Sequence, residues 1–158
     1  MLLLNIMFTS LIIFSIILAA LFASAVKRVP SGQVYSLYRQ GKPVRLLQPG
    51  VHMVLPLLER VANKINLSGQ ILRFEEPMAG AREVSGTVYW QVLEPERADA
   101  VFDHVDQLIR RSTHEALCAE SEEAHADHRV LSTHMKQSLN HALRGRGMMV
   151  TRVELDVV

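Results

Sequence analysis

The first 26 residues are almost continuously apolar, and no charged side chain occurs before Lys27. As a helix, such a segment extends roughly 39 Å, whereas about 20 apolar residues suffice to cross the hydrocarbon core of a bilayer. The segment is interrupted only by Asn5, Thr9, Ser10, Ser15 and Ser24. The pattern therefore predicts a transmembrane anchor over residues 1–26.

A cleaved signal peptide is the competing interpretation of this segment, because Ala23-Ser24-Ala25 has the small residues of a cleavage site. The segment lacks a basic beginning, and its apolar run is longer than that of ordinary signal peptides, which favours a retained anchor. Basic residues follow it, beginning with Lys27 and Arg28, so the positive-inside rule predicts a single-pass protein whose globular domain faces the cytoplasm. We expect Lys27 and Arg28 to contact lipid headgroups.

Short apolar segments with a period of two come next and predict an antiparallel β meander. Pro49 and Gly50 predict a type II turn, because proline fixes φ at the first central position and glycine supplies the positive φ of the second. The predicted strands are residues 33–39, 51–55, 61–67 and 84–93.

The apolar spacing changes to three and four after Pro95, which predicts amphipathic helices. One helix is expected over residues 98–109 and a second over 130–143, with Gly145 as a left-handed C-cap. A last alternating segment, 149–157, predicts a closing strand. Strands, two helices and a strand indicate an α+β domain.

Composition excludes several classes of protein. Lys and Arg number 17 against 16 Asp and Glu, and this near-neutral balance argues against a nucleic-acid partner. The single cysteine, Cys118, excludes an internal disulfide and a cysteine-rich zinc module, and agrees with a reducing compartment. The chain has no G-x-S-x-G nucleophile motif. We expect no catalytic residues and no cofactor.

A metal site is the main alternative, in an exported metal-binding or metal-dependent protein. His114, Cys118, His125 and His128 lie within 15 residues, and Zn²⁺ accepts nitrogen and sulfur ligands. The opposing interpretation is a polar helix face that is rich in histidine, with Cys118 as a small buried apolar residue. Because neither H-E-x-x-H nor a closed structural-site spacing is present, we favour the polar face.

Two further groups of residues have alternative interpretations. The apolar segment Leu55-Pro56-Leu57-Leu58 could enter the membrane interface, but we expect it to pack in the core. His134 and His141 are seven residues apart beside core-facing positions of the second helix. We expect both histidines to lie at the edge of the core rather than to act as acid–base groups.

Several short segments follow one another in a characteristic order along the chain. They are Val29-Pro30-Ser31-Gly32-Gln33, Tyr38-Arg39-Gln40-Gly41-Lys42, Leu47-Gln48-Pro49-Gly50-Val51-His52, Leu55-Pro56, Val88-Tyr89-Trp90-Gln91-Val92, Glu94-Pro95-Glu96-Arg97-Ala98 and Gly147-Met148-Met149-Val150-Thr151-Arg152-Val153-Glu154-Leu155. In this order they resemble the SPFH or Band 7 family of membrane proteins (stomatin, prohibitin, flotillin and HflK-C). The resemblance covers nearly all of the chain.

The resemblance implies one N-terminal membrane segment followed by a compact SPFH-like domain, here residues 27–158. It also implies a homo-oligomeric, non-catalytic scaffold that organises membrane microdomains. Such proteins restrain or recruit partner membrane proteins such as proteases and channels. The partners expected for this chain are therefore the lipid bilayer, other membrane proteins and further copies of itself.

Overall fold

The computed structural model describes residues 2–78, 82–119 and 127–156. The elements in this part of the chain confirm the predicted α+β class. In order they are α1 (Leu2–Ala25), β1 (Val26–Val29), β2 (Gln33–Arg39), β3 (Lys42–Leu47), β4 (Gly50–Met53), β5 (Arg60–Asn66), β6 (Gln70–Met78), β7 (Arg82–Val92), α2 (Pro95–Asp99), a 3-10 turn (Phe102–His104), α3 (Val105–Ala119), α4 (His128–Arg144) and β8 (Met148–Asp156).

The chain divides into two compact units. The first unit comprises Met1–Ser31 and Tyr35–Lys64, and the second comprises Gly32–Val34 and Ile65–Val158. Strands β2 and β5 therefore contribute residues to both units.

In the first unit, antiparallel strands follow the apolar helix α1. Strand β1 pairs with β4, and β2 pairs with β3 with a register shift after Leu37. The strand order of the second sheet is β3-β2-β5. A small apolar core holds the unit together, formed by Val29, Leu37, Leu47 and Val54, with Tyr35 and Val61 packed against it.

The second unit is built on the antiparallel sheet β6-β7-β8. Helix α4 packs on β8, helix α3 packs on β6, and the two helices contact each other. The buried face of β7 shows the alternation that the sequence predicts, because Val88, Trp90 and Val92 all point into the core. The largest buried side chains of this unit are Val34, Ile65, Phe74, Trp90, Ile109, Leu131, Met135, Leu139, Leu143 and Met148.

Helix α4 begins at a side-chain cap and buries one stripe of residues. The Asp127 carboxylate accepts a hydrogen bond from the backbone N–H of Arg129 at 2.9 Å, which satisfies one of the free donors of the first turn. Its buried positions recur every four residues at Leu131, Met135, Leu139 and Leu143. His134 and His141 are exposed, so their predicted placement at the edge of the core is wrong.

The end of α4 differs from the prediction. Gly145 is right-handed, with φ −62°, and the left-handed residue is Gly147, with φ 72°. The backbone N–H groups of Leu93 and Glu94 both donate to the carbonyl of Gly147. A Cβ at Gly147 would lie 2.5 Å from the Glu94 carbonyl oxygen, so glycine is required here by both conformation and space.

Strands β1, β3 and β6 were not predicted from the pattern. Strand β3 begins at Lys42, directly after the two-residue turn that ends β2, and β6 pairs along its length with β7 although its second half is polar. The helix expected over residues 98–109 is interrupted, because Val101 adopts φ −122° and ψ 2°, outside the helical region. The chain continues through a 3-10 turn and starts a new helix at Val105.

Candidate membrane-docking surface

Helix α1 is long and apolar enough to cross a bilayer. Its span Leu3–Ala25 has a mean hydropathy of 2.6, and its large apolar side chains from Leu3 to Phe22 are 40–80% exposed. The hydroxyls of Thr9, Ser10 and Ser24 bond to carbonyls three or four residues earlier in the helix. Their polar hydrogens are thus satisfied internally, as a lipid environment requires.

A two-stranded ribbon follows the end of α1 directly. In the β1–β4 ladder, Val26 lies opposite Met53 and Arg28 lies opposite Val51, so these four side chains share one face of the ribbon. Val26, Met53 and Val51 are all exposed on that face. The backbone N–H of Val54 donates to the Ala25 carbonyl at 2.8 Å, which ties the ribbon to the last residue of the helix.

The turn after β4 continues the exposed apolar surface. Leu55, Leu57 and Leu58 are all exposed, and Leu57 is 85% exposed. The expected core packing of this segment is therefore wrong. The backbone N–H groups of Leu58 and Glu59 both donate to the Leu55 carbonyl, and the resulting tight turn directs the leucines outward. We call the exposed side chains of Val26, Val51, Met53, Leu55, Leu57 and Leu58 the docking surface.

A network of ion pairs and hydrogen bonds around Glu59 connects the two ends of this turn. Arg39 forms an ion pair with Glu59, and the second Glu59 oxygen lies 3.9 Å from Arg45 and accepts a hydrogen bond from the Leu55 N–H at 3.2 Å. The Glu59 side chain is only 5% exposed. The hydrogen bond from Arg39, followed by that from Leu55, lowers the pKa of Glu59 below its ordinary value. Arg45 also donates to the Met53 carbonyl at 2.9 Å.

The basic and turn residues singled out in the sequence also lie in the first unit. Lys27 and Arg28 are exposed on β1, two and three residues after α1 ends. Pro49 is exposed before β4, and Gly50 opens that strand opposite Val29 with a φ of 139°. This φ is positive as predicted, but it is far from the roughly 80° that the second central residue of a type II turn adopts. Substitution of Gly50 by an L-residue would place that residue in a backbone conformation it rarely adopts.

The histidine-rich segment was the candidate metal site. His114 Nδ1 lies 3.1 Å from a Glu76 oxygen, and its Nε2 lies 3.6 Å from the Sγ of Cys118. Cys118 is exposed, not buried as expected. His128 begins α4, and His125 lies outside the described residues. Within residues 2–78, 82–119 and 127–156, no three His, Cys, Asp or Glu side chains are placed to hold a metal ion. The metal-binding alternative therefore has no support in this part of the chain.

The sequence did not point to Glu59 or Asn140 as organising residues. The side chain of Asn140, in α4, donates to the Val150 carbonyl at 3.1 Å and accepts from the Val150 N–H at 2.9 Å. This pair of bonds lies at the register shift of the β7–β8 ladder, where Val150 pairs with Trp90. A single polar residue produces no periodic pattern in the sequence. The roles of Glu59 and Asn140 can therefore be recognised only from the folded structure.

An exposed apolar helix followed by an α+β domain is the architecture of a membrane-associated protein. Residues 27–158 match the model of the SPFH domain / Band 7 family, and the chain belongs to this family. The chain is also similar to the uncharacterized protein C16G5.07c of Schizosaccharomyces pombe, with 24% identity over 140 residues. The similarity covers 82% of this chain and 40% of that protein, so the chain spans less than half of the relative's length.

Proposed function

We propose that this protein is a single-pass, membrane-anchored scaffold or regulator, in which residues 1–26 form the anchor and residues 27–158 form a domain facing the cytoplasm. In this role it organises membrane microdomains or modulates partner membrane proteins such as proteases or channels. Membership of the SPFH family supports this role, since members are generally non-enzymatic scaffolds that form membrane-associated oligomers.

The observation that carries the proposal is the continuity of α1 with the docking surface. The apolar side chains of the docking surface begin at Val26, directly after the helix, and end at Leu58. Each leucine side chain that moves completely from water into lipid contributes about 1.5 to 3 kcal/mol. Insertion of the docking surface into lipid therefore adds to the anchoring of the domain by α1. The remaining surface of the domain is available to other membrane proteins.

Orientation follows from the charges around α1. The helix carries no charge, and Lys27 and Arg28 follow it immediately. Basic residues close to the end of a membrane span are retained on the cytoplasmic side. The cytoplasmic compartment is also consistent with an exposed free thiol at Cys118.

Partner recruitment is tested by cross-linking from the single cysteine. A thiol-reactive photo-crosslinker is attached to Cys118 of the full chain in native membranes, and the products are identified by mass spectrometry. A scaffold gives reproducible cross-links to membrane proteins and to further copies of the chain. The Cys118→Ser chain is the control and gives none. Cross-links that are confined to soluble metabolic enzymes, or no protein cross-links at all, would contradict the proposal.

A further inference from the structure

A cavity of about 530 Å³ lies in the first unit beside the end of α1. Its walls come from the last turn of the helix, β1, β2, the turn after β4 and β5. The lining residues are Ser24, Lys27, Arg28, Tyr35, Val54, Pro56, Glu59, Arg60, Val61 and Lys64. We call it the basic cavity.

Four of these residues are cations and one is an anion. The anion, Glu59, is already paired with Arg39. Lys27, Arg28 and Arg60 form no ion pair within the part of the chain that the structure describes, and Lys64 lies over the ring of Tyr35 at 5.5 Å from the ring centroid. An uncompensated cluster of four cations in one concave site attracts a multivalent anion.

Two of the cations share one face of a strand. Residues of β5 alternate between exposed and buried positions, and Arg60, Ala62 and Lys64 are the exposed ones. The ring of Tyr35 contacts Lys64 and also lines the cavity, so the cationic face is continued by an apolar wall. Val54, Pro56 and Val61 extend that wall.

The depth of the cavity relative to a bilayer follows from the length of α1. A helix of 24 residues is roughly 36 Å long, whereas the hydrocarbon core is about 30 Å thick. With α1 centred across the bilayer, the helix extends about 3 Å beyond the hydrocarbon core at each end, which places Ser24 at the boundary with the headgroup layer. Ser24 lines the cavity, so in this placement the cavity opens beside the lipid headgroups.

The geometry points to the basic cavity as a binding site for the phosphate group of an anionic phospholipid, with Arg60 and Lys64 as its principal cations and the Tyr35 wall against the glycerol portion. This inference rests on the proposed anchoring by α1. Basic pockets next to membrane spans are suited to such headgroups, because each nearby cation contributes to the attraction.

The test titrates the full chain in neutral detergent micelles with short-chain phosphatidic acid, and follows binding by calorimetry. Short-chain phosphatidylcholine and inorganic phosphate are separate arms. The variant Arg60→Gln/Lys64→Gln removes two cations from the cavity. The matched control, Lys136→Gln/Arg144→Gln, removes two exposed cations from α4, where they line a separate depression. The charge-preserving variant Arg60→Lys/Lys64→Arg keeps both charges in place.

We expect the native chain to bind phosphatidic acid, with an affinity that falls on the order of tenfold in the Arg60/Lys64 glutamine variant and by less than about twofold in the α4 control. The charge-preserving variant retains binding. Equal losses in both glutamine variants, or no binding by the native chain, would overturn the site. Equal affinity for inorganic phosphate would overturn its assignment to a lipid. All variants retain α1, so membrane anchoring is tested independently of these results.

Discussion

The guanidinium of Arg39 donates to the carboxylate of Glu59, and this contact joins the end of β2 to the residue that precedes β5. The same carboxylate accepts from the N–H of Leu55, at the start of the exposed leucine turn. One nearly buried acid therefore connects the sheet of the first unit to the docking surface. We therefore expect the geometry of that surface to depend on the charge of Glu59.

Replacement of Glu59 by Gln is expected to lower the thermal stability of the first unit at neutral pH, because it removes the ion pair with Arg39. The folded-state pKa of Glu59 is lowered, so its contribution to stability is present above the ordinary pKa of a glutamate and is lost as the pH falls through the lowered pKa. The melting temperatures of the native and Glu59→Gln chains, measured in detergent, should converge as the pH falls below the ordinary pKa of a glutamate and through the lowered pKa of Glu59. A difference that is unchanged from neutral to acid pH would contradict this role.

The docking surface predicts that Leu57 is inserted among lipid acyl chains. In a reconstituted Leu57→Trp chain, brominated lipids should quench the new tryptophan, because bromine quenches indole only at close range. Leu93→Trp is the matched control, since Leu93 is also exposed but lies in the second unit. The native Trp90 is buried and provides the common background signal. Equal quenching of the two variants would contradict interfacial insertion at Leu57.

Gly147→Ala is expected to destabilise the second unit by about 1–3 kcal/mol, since it combines a positive φ with a close approach to the Glu94 carbonyl. Gly145 provides a control two residues away. It has a right-handed φ, and a Cβ there would meet no atom within 4 Å. Gly145→Ala should leave the free energy of unfolding unchanged or raise it slightly. Denaturant unfolding of both variants checks the assignment, which fails if the Gly145 variant is the less stable one.

Asn140→Ala is expected to cost about 1–3 kcal/mol, because it leaves the N–H and the carbonyl of Val150 without their side-chain partner at the β7–β8 register shift. Gln137→Ala, on the exposed side of the same helix, is the control and should change stability by less than about 0.5 kcal/mol. Hydrogen exchange at the Val150 amide gives a local measure. If that amide exchanges equally slowly in Asn140→Ala, the Asn140 bonds do not protect it.

The sequence predicted those helices and strands in which buried apolar residues recur at a regular spacing. The alternation through Val88, Trp90 and Val92 and the four-residue spacing of α4 each correspond to one buried face. Strand β6 was not predicted because its alternation of buried residues stops at Phe74. The rest of the strand is stabilised by backbone pairing with β7. The pattern of one strand carries no information about the length of its partner.

The close contacts of the fold could not be predicted from the sequence. Gly86 allows the ring of Phe74 and the Glu154 carbonyl to approach, since a Cβ at Gly86 would lie 2.4 Å from that oxygen. The exposure of Leu57 was also missed, because a run of leucines beside a turn has the same composition in a core and at a membrane interface. Both features depend on which residues meet in three dimensions.

The central claim is that α1 is retained in the membrane and separates the N-terminus from a cytoplasmic domain. The chain has one cysteine, Cys118, which is exposed in α3. A second reporter is a short polar extension that carries one cysteine, placed before Met1 of the Cys118→Ser chain, because α1 begins at Leu2. Each chain therefore carries a single thiol on one side of the proposed span.

Labelling of the two chains with a membrane-impermeant maleimide, in intact and permeabilised cells, tests the claim most directly. We predict that the thiol of the N-terminal extension is labelled in intact cells, and that Cys118 is labelled only after permeabilisation. Labelling of Cys118 in intact cells, or a mature chain from which the extension and its thiol have been removed, would contradict the account.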